Sequence, residues 1–288
     1  MIYRLVLVAV GSGDSSAAAI DTALTVGKTF GSHVVGLHVR ADSKDAVPLL
    51  GEGMSGAMIE EIVELAEKEA GKRAVVARKI FDERCAKAGA PMVEAPPAPS
   101  TLSAAWIEEV GRDDETLGRR GRLADLVVVA RPRAEDEASQ ALALNAALFE
   151  TGRPVLVVPP TAPLTVGRRI AISWNGSPQA ARAISGALPF LERAEAVTIL
   201  TVETDRTSTV RSGELAEYLA WRGVKASAPA IVLSGRAVGE AILRSCADAG
   251  ADLLIMGAYS QPRLRRLIYG GVTRHVLAEA TIPVVMGH

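Results

Sequence analysis

The residue types best suited to hold a ligand lie in two turns of the second half of the chain. In the first turn, Asn175, Gly176 and Ser177 follow the apolar run Arg168–Trp174. An Asn amide offers a donor and an acceptor to the edge of a heterocyclic base, Gly176 permits a tight turn, and Ser177 can cap the next helix. Turn and cap chemistry alone explains the same residues, and for an isolated turn it is the stronger interpretation.

The second turn follows the apolar run Ala251–Met256 and begins with Gly257. Further along, Gly270 and Gly271 interrupt a helical pattern, and a new helical segment begins at Val272. The first N–H groups of a helix lack intrahelical partners, so this start can form an anion site. Two helices packed through small residues, with solvated arginines, would give the same pattern. Both interpretations stay open on the residues alone.

An internal repeat positions these turns. Each turn follows an apolar strand, and both halves of the chain contain the same succession of strands and helical segments. The matching segments are Arg4–Val10 and Arg168–Trp174, Ala124–Val129 and Ala251–Met256, and Pro154–Val158 and Pro283–Met286. Strands alternating with helices predict parallel sheets with right-handed crossovers. We therefore predict an α/β protein of two domains, residues 1–159 and 166–288, joined at the Pro-rich stretch 159–163.

In doubly wound sheets, ligands bind beyond the carboxyl ends of the strands. The relevant residues should therefore follow the first, second and fourth strand of each half. In the first half, a long helical segment is predicted over Met58–Ala88, with Gly71 as a point where it could divide.

Composition excludes several other classes of protein. The net charge is −1 over 288 residues, so no bulk field attracts nucleic acid or a membrane surface. Only two cysteines, Cys85 and Cys246, are present, and neither has a neighbour at a metal-ligand spacing. No apolar run reaches the ~20 residues of a membrane span. The chain begins directly with a strand pattern, and we expect a cytoplasmic location.

The second half resembles the universal stress protein family over essentially its whole length. Nucleotide-binding members of that family have the motif G-x2-G-x9-G-[S/T] after strand four and an Asp at the end of strand one. Here Gly257 and Gly270 keep the spacing of the first and third positions. Ser260 replaces the second glycine, Gly271 replaces the hydroxyl residue, and Asn175 stands at the Asp position.

The resemblance implies a Rossmann-like fold and an adenine nucleotide, ATP or a relative, with an accompanying Mg²⁺ left open. It assigns the base to Asn175, Val202 and Met256, the ribose to Gly257, and the phosphates to the loop. The full predicted set is Asn175, Ser177, Val202, Met256, Gly257, Ser260, Arg263, Gly270, Gly271, Val272 and Thr273. No catalytic residue and no metal ligand is assigned.

The first half departs further from the family pattern. Gly11 stands at the Asp position, and no glycine occupies a motif position between Val129 and Gly152. The acidic residues 135–137 would repel a phosphate. We therefore predict a degenerate nucleotide loop and a structural role for this half. In the family the last strands of two domains meet, so the halves should form an internal pseudo-dimer through 154–158 and 283–286.

The predicted function is a stress-response protein that binds the nucleotide in its second half and acts by regulated association. A scaffold of the same family that binds no nucleotide is the alternative. An enzyme of the wider adenine-nucleotide α-hydrolase group, such as a nucleotidyl transferase, would need a positioned base or metal ligand, and none is found. At most, slow ATP hydrolysis is expected. A homodimer beyond the pseudo-dimer is left open.

Overall fold

The structure is a computed structural model of the 288-residue chain. It describes residues 2–13, 15–42, 55–94, 101–132, 138–202, 212–231, 233, 235–258 and 271–288. Within these ranges the chain forms eleven strands and nine helices. The strands are β1 (Leu5–Ala9), β2 (His33–Arg40), β3 (Ser103–Val110), β4 (Leu126–Ala130), β5 (Val155–Val158), β6 (Arg169–Ser173), β7 (Ala196–Val202), β8 (Ala226–Ser227), β9 (Ala230–Ile231), β10 (Leu253–Gly257) and β11 (Val284–Gly287). The helices are α1 (Ser15–Phe30), α2 (Gly56–Ala88), α3 (Asp113–Gly121), α4 (Ala138–Glu150), α5 (Pro178–Gly186), α6 (Leu188–Leu191), α7 (Ser212–Ala220), α8 (Val238–Asp248) and α9 (Gly271–Glu279).

Each half is a doubly wound parallel sheet, as the repeat predicts. The strand order is β3-β2-β1-β4-β5 in the first half and β8-β7-β6-β10-β11 in the second, with the short β9 beside β7. The pairings within each half are parallel. The order reverses between β1 and β4, and again between β6 and β10, which creates a crevice at the carboxyl edge of each sheet.

The last strands of the two halves join the sheets. β5 and β11 pair antiparallel, with Val157 opposite Val284, Leu156 opposite Val285 and Val155 opposite Met286. The pseudo-dimer arrangement that the family resemblance implies is therefore present. Each strand covers the edge that the other would leave open, and an uncovered edge of this kind is prone to aggregation.

Three features differ from the sequence-based expectation. β3 was not predicted, because Glu108 and Glu109 near its end obscure the apolar pattern of an edge strand. α2 runs unbroken through Gly71. A glycine inside a helix destabilises it by about 1 kcal/mol relative to alanine, and the 33 residues of α2 with the Ser55 cap tolerate that loss. A tryptophan at position 221 predicts burial by packing or at an interface, whereas Trp221 is 86% exposed within this chain, just after α7.

An aromatic cluster fills the space between the halves. Tyr3, Phe30 and Phe190 contact one another with ring centroids 5.1–5.3 Å apart. Gly186 at the end of α5 packs against Pro154, and a Cβ at that position would lie 2.8 Å from the Pro154 Cβ. The hydrophobic core is therefore continuous from one half to the other.

In each half, an aspartate just before the fourth strand accepts hydrogen bonds from backbone N–H groups at or just before the start of the first strand. Asp125 accepts hydrogen bonds from the backbone N–H groups of Arg4 and Leu5, at 2.7 and 2.9 Å. Asp252, its counterpart in the repeat, accepts from the N–H groups of Gly167, Arg168 and Arg169 at 2.9–3.2 Å. The two carboxylates therefore connect the start of β4 to the start of β1 in the first half, and the start of β10 to the start of β6 in the second.

Candidate functional site

The candidate site lies at the carboxyl edge of the second sheet. There β6 lies between β7 and β10, so the ends of these three strands are neighbours. Asn175 follows β6, Val202 ends β7, and Met256 and Gly257 end β10. The strand topology thus brings together predicted residues that lie up to 82 positions apart in the chain.

Asn175 and Ser177 build the turn between β6 and α5. The Asn175 Oδ1 accepts hydrogen bonds from the Ser177 N–H at 3.1 Å and from the Ser177 hydroxyl at 2.7 Å. The Ser177 Oγ in turn accepts from the Ala180 N–H at 3.2 Å and caps α5. The turn-and-cap interpretation is therefore correct for these residues. The amide oxygen is occupied, and the exposed Asn175 retains its NH₂ group as a donor.

Gly257 has a structural reason to be glycine. A Cβ at this position would lie 2.5 Å from the backbone nitrogen of Ala180 in the first turn of α5. No real Cβ approaches a backbone atom so closely, so the absent side chain allows α5 to pack on β10. The expectation that this glycine makes room for a ribose is not needed to explain it.

Val202 and Met256 lie at the base of the crevice. Their exposed fractions are 7% and 4%, and both belong to the apolar core under α8 and α9. Met256 pairs with Ser173 on one side and Met286 on the other. These apolar side chains can contact a ligand by packing, and they offer it no hydrogen bond.

The start of α9 contributes the remaining described residues. Gly271 is exposed at its first position, Val272 is half-buried, and Thr273 is buried at 6% exposure. A Cβ on Gly271 would have no heavy atom within 4 Å, so the backbone there opens onto free space. Ser260, Arg263 and Gly270, predicted for the same loop, lie outside the described residues.

The first half has a cleft at the equivalent edge, which the sequence reasoning missed. It lies at the ends of β1, β2 and β4, has a volume of about 150 Å³, and is lined by Gly11, His38, Arg40 and Arg73, among others. A signal was present, since His38 and Arg40 stand at the end of the second strand.

Nucleophilic thiol chemistry is excluded for both cysteines. Cys85 and Cys246 are buried and free, and burial raises the pKa of each thiol to about 12. They are therefore protonated at neutral pH and unreactive. Over the described ranges, no group of three or more His, Cys, Asp or Glu residues could hold a metal ion. Among the helices that the structure describes, none is both long and apolar enough to cross a bilayer.

Two halves of this kind define a tandem, doubly wound α/β protein with a ligand edge on each sheet. A universal stress protein from Archaeoglobus fulgidus DSM 4304 has this fold with a TM-score of 0.68, covering 98% of this chain and 97% of that chain at 14% identity. A putative universal stress protein from Pseudomonas aeruginosa UCBPP-PA14 gives a TM-score of 0.56, covering 98% of this chain and 92% of that chain at 13% identity. At these identities the similarity shows the fold alone.

The sequence itself identifies the family. Residues 168–288 match the profile of the Universal stress protein family. A stretch of 46 residues is 46% identical to a universal stress protein of Synechocystis sp., and it covers 16% of this chain and 16% of that relative's length. The second half of the chain therefore matches the universal stress protein family in sequence, and the first half repeats the same fold.

Proposed function

We propose that this protein is a stress-response protein whose second half binds ATP or a related adenine nucleotide. The bound nucleotide would change how the protein associates with its partners. Turnover is not part of the proposal, because no described side chain at this edge is placed as a base or a metal ligand for the phosphates.

The observation that carries the proposal is the open start of α9. A Cβ on Gly271, the first described residue of α9, would have no heavy atom within 4 Å. The first N–H groups of a helix have no intrahelical partners and can donate to an anion. The helix dipole adds partial positive charge at the same end. Because α9 connects β10 to the parallel strand β11, the start of α9 is expected at the sheet edge where β10 ends beside β6. A phosphate bound there would lie at the same edge as the crevice.

The base would occupy the crevice itself. Val202 and Met256 supply apolar surface for one face of an adenine ring, and Asn175 offers its NH₂ group to an acceptor nitrogen. This arrangement differs from a carboxylate at the Asn175 position, which could accept from the adenine amino group. We therefore expect binding weaker than that of a site with the Asp.

Thermal unfolding with and without nucleotide tests the proposal. ATP at 100 times its Kd should add about 2.7 kcal/mol to the free energy of unfolding, with and without Mg²⁺ as separate arms. Inorganic phosphate at the same concentration controls for binding of any anion. A melting temperature that ATP leaves unchanged up to millimolar concentration would reject the nucleotide.

Two variants of Gly271 test whether the backbone N–H is the contact. Gly271→Pro removes the N–H, and proline is tolerated at the first helical position. Gly271→Ala keeps the N–H, and its Cβ enters open space. The Pro variant should bind ATP roughly 10-fold or more weakly, since a hydrogen bond to a charged group is lost, while the Ala variant should bind like the natural protein.

Equal loss in both variants would place the phosphate elsewhere. A response to ATP in neither the natural protein nor the variants would favour the scaffold that binds no nucleotide. The occupied oxygen of Asn175 and the packing reason for Gly257 both favour that alternative.

A further inference from the structure

The cleft of the first half is small, and both apolar and polar side chains line it. The ends of β1, β2 and β4 form its base, and α1, α2 and the start of α3 form its walls. Leu37 and Val129 provide apolar surface, while His38, Arg40 and Arg73 provide polar groups. Its volume of about 150 Å³ is below the ~300–1,000 Å³ of pockets for drug-sized ligands. A ligand that fits it is smaller than a nucleotide.

His38 is a buried polar side chain with one ring nitrogen unused. It is 7% exposed and lines the cleft. Its Nδ1 lies 2.8 Å from the backbone oxygen of Val10, and its ring stacks on Trp106 with an interplanar angle of 13°. A carbonyl oxygen only accepts, so Nδ1 carries the proton, and in the neutral ring Nε2 is an acceptor. Nε2 has no hydrogen-bond partner among the described residues.

The Nε2 atom is not among the buried side-chain atoms without a partner, so as an acceptor it is accessible from the cleft that His38 lines. The stacked Trp106 and the Val10 carbonyl hold the ring in one orientation, so Nε2 cannot turn to find another partner. A ligand hydroxyl or N–H would satisfy it. His33 on the same strand differs because it is half-buried and lies outside the cleft lining. Its Nδ1 lies 2.9 Å from the Ser103 hydroxyl oxygen.

Two cations and one carboxylate line the same cleft. Arg40 has a distant ion pair, with 3.8 Å between its Nη1 and the Glu108 Oε1. Arg73 is exposed on α2 and makes no hydrogen bond or ion pair with any described residue. Asp113 lies at the first position of α3, where the helix dipole stabilises its charge. The lining therefore has a net positive charge that a single anionic group can balance.

We infer that this cleft is a second ligand site, for a small organic anion that also carries a hydroxyl group. The anionic group faces Arg40 and Arg73, the hydroxyl donates to the His38 Nε2, and the carbon skeleton lies against Leu37 and Val129. The first half then binds a ligand of its own and is not only a structural partner. The inference is independent of nucleotide binding in the second half, because it uses different residues and a different ligand.

NMR of the complete chain tests the inference with two probes. Glycerol 3-phosphate presents a hydroxylated phosphate, and L-lactate presents a hydroxylated carboxylate. The ring resonances of His38 and the indole N–H of Trp106 should shift saturably with at least one probe. Binding of one alone identifies the anionic group. No saturable shift with either probe up to about 10 mM, where a Kd of about 1 mM would approach saturation, overturns the inference.

Variants on α2 and β2 separate the cleft from other sites. Arg73→Met should raise the Kd of the probe about tenfold, because it removes a charged contact. The helix should remain intact, because position 73 is exposed. His38→Gln should weaken it as well. Lys79→Met, an exposed cation on the same helix outside the cleft lining, is the matched control and should bind normally. Unchanged affinity in Arg73→Met, or equal loss in Lys79→Met, means an adventitious anion contact and overturns the site.

Discussion

The hydroxyl of Tyr3 donates a 2.6 Å hydrogen bond to the backbone carbonyl oxygen of Gly186, a residue 183 positions further along the chain. This bond joins the start of the first half to the end of α5 in the second. The ring of Tyr3 lies in the aromatic cluster with Phe30 and Phe190, so one side chain contributes both apolar and polar contacts between the halves.

Replacing Tyr3 with Phe should lower the free energy of unfolding by about 1 kcal/mol. The substitution removes the hydrogen bond and leaves the Gly186 carbonyl without this donor, while the ring contacts remain. Urea denaturation measures the difference. Tyr218→Phe is the matched control, because Tyr218 is exposed and its loss of a hydroxyl should change stability by less than about 0.5 kcal/mol.

The same residue makes stability depend on alkaline pH. Burial raises the pKa of Tyr3 well above its usual range, and the charge of Asp125 adds to the shift. Below about pH 10 both the folded and the unfolded state keep the proton, and the contribution is constant. Above that pH the unfolded state loses the proton and the folded state does not, so the free energy of unfolding falls by up to about 1.4 kcal/mol per pH unit.

Tyr3→Phe should remove this part of the alkaline decline. Denaturation curves collected from pH 8 to about pH 11 should therefore converge for the variant and the natural protein as the pH rises. Parallel curves would mean that Tyr3 ionises as easily in the folded protein as in the unfolded chain.

Asp252→Ala should destabilise the protein by about 2–4 kcal/mol. The carboxylate accepts three backbone N–H groups and the Thr165 hydroxyl, the latter at 2.7 Å, and its removal leaves these donors without a charged acceptor. Asp125→Ala, which removes the acceptor of the Arg4 and Leu5 backbone N–H groups, should lower the free energy of unfolding by less. Chemical denaturation ranks the two.

An exposed aspartate provides the control for this ranking. Asp248 is 72% exposed and lies 3.9 Å from Arg244, so Asp248→Ala should stay within about 0.5 kcal/mol. An Asp252→Ala variant as stable as Asp248→Ala would contradict the anchoring role.

Leu156→Ala should lower stability by about 2–5 kcal/mol and leave a single unfolding transition. Leu156 is fully buried opposite Val285, so the substitution opens a cavity at the joint of the two sheets. Calorimetry should show one endotherm at a lower temperature, because both halves share this core. Leu123→Ala, at a 76% exposed position, should leave the endotherm in place. Two endotherms, only one of them shifted, would show that the halves unfold separately.

The repeat made much of the architecture predictable. Matching apolar runs and a Pro-rich junction predicted two doubly wound sheets, because burial on both faces of a parallel strand leaves a continuous apolar pattern. The meeting of their last strands was predicted from the family resemblance. The edge strand β3 escaped prediction, since Glu108 and Glu109 interrupt that pattern. The long α2 was predicted but not its continuity through Gly71.

The candidate site was predictable in position and less so in chemistry. Strand ends in a doubly wound sheet must meet at one edge, so Asn175, Val202 and Gly257 could be grouped in advance. Their contacts could not be. The Asn175 oxygen is used by Ser177, and Gly257 is close to the backbone of Ala180, because the packing of α5 decides both.

The sequence alone determined the class of fold, the duplication and the edge at which a ligand can bind, since these follow from the order and periodicity of apolar segments. Only the tertiary structure decided which polar atoms remain available at that edge. His38 illustrates the reason: its orientation depends on Val10 and Trp106, which are distant in sequence and meet it only through parallel strand pairing. Hydrogen-bond availability is a property of three-dimensional neighbours, and local residue patterns do not contain it.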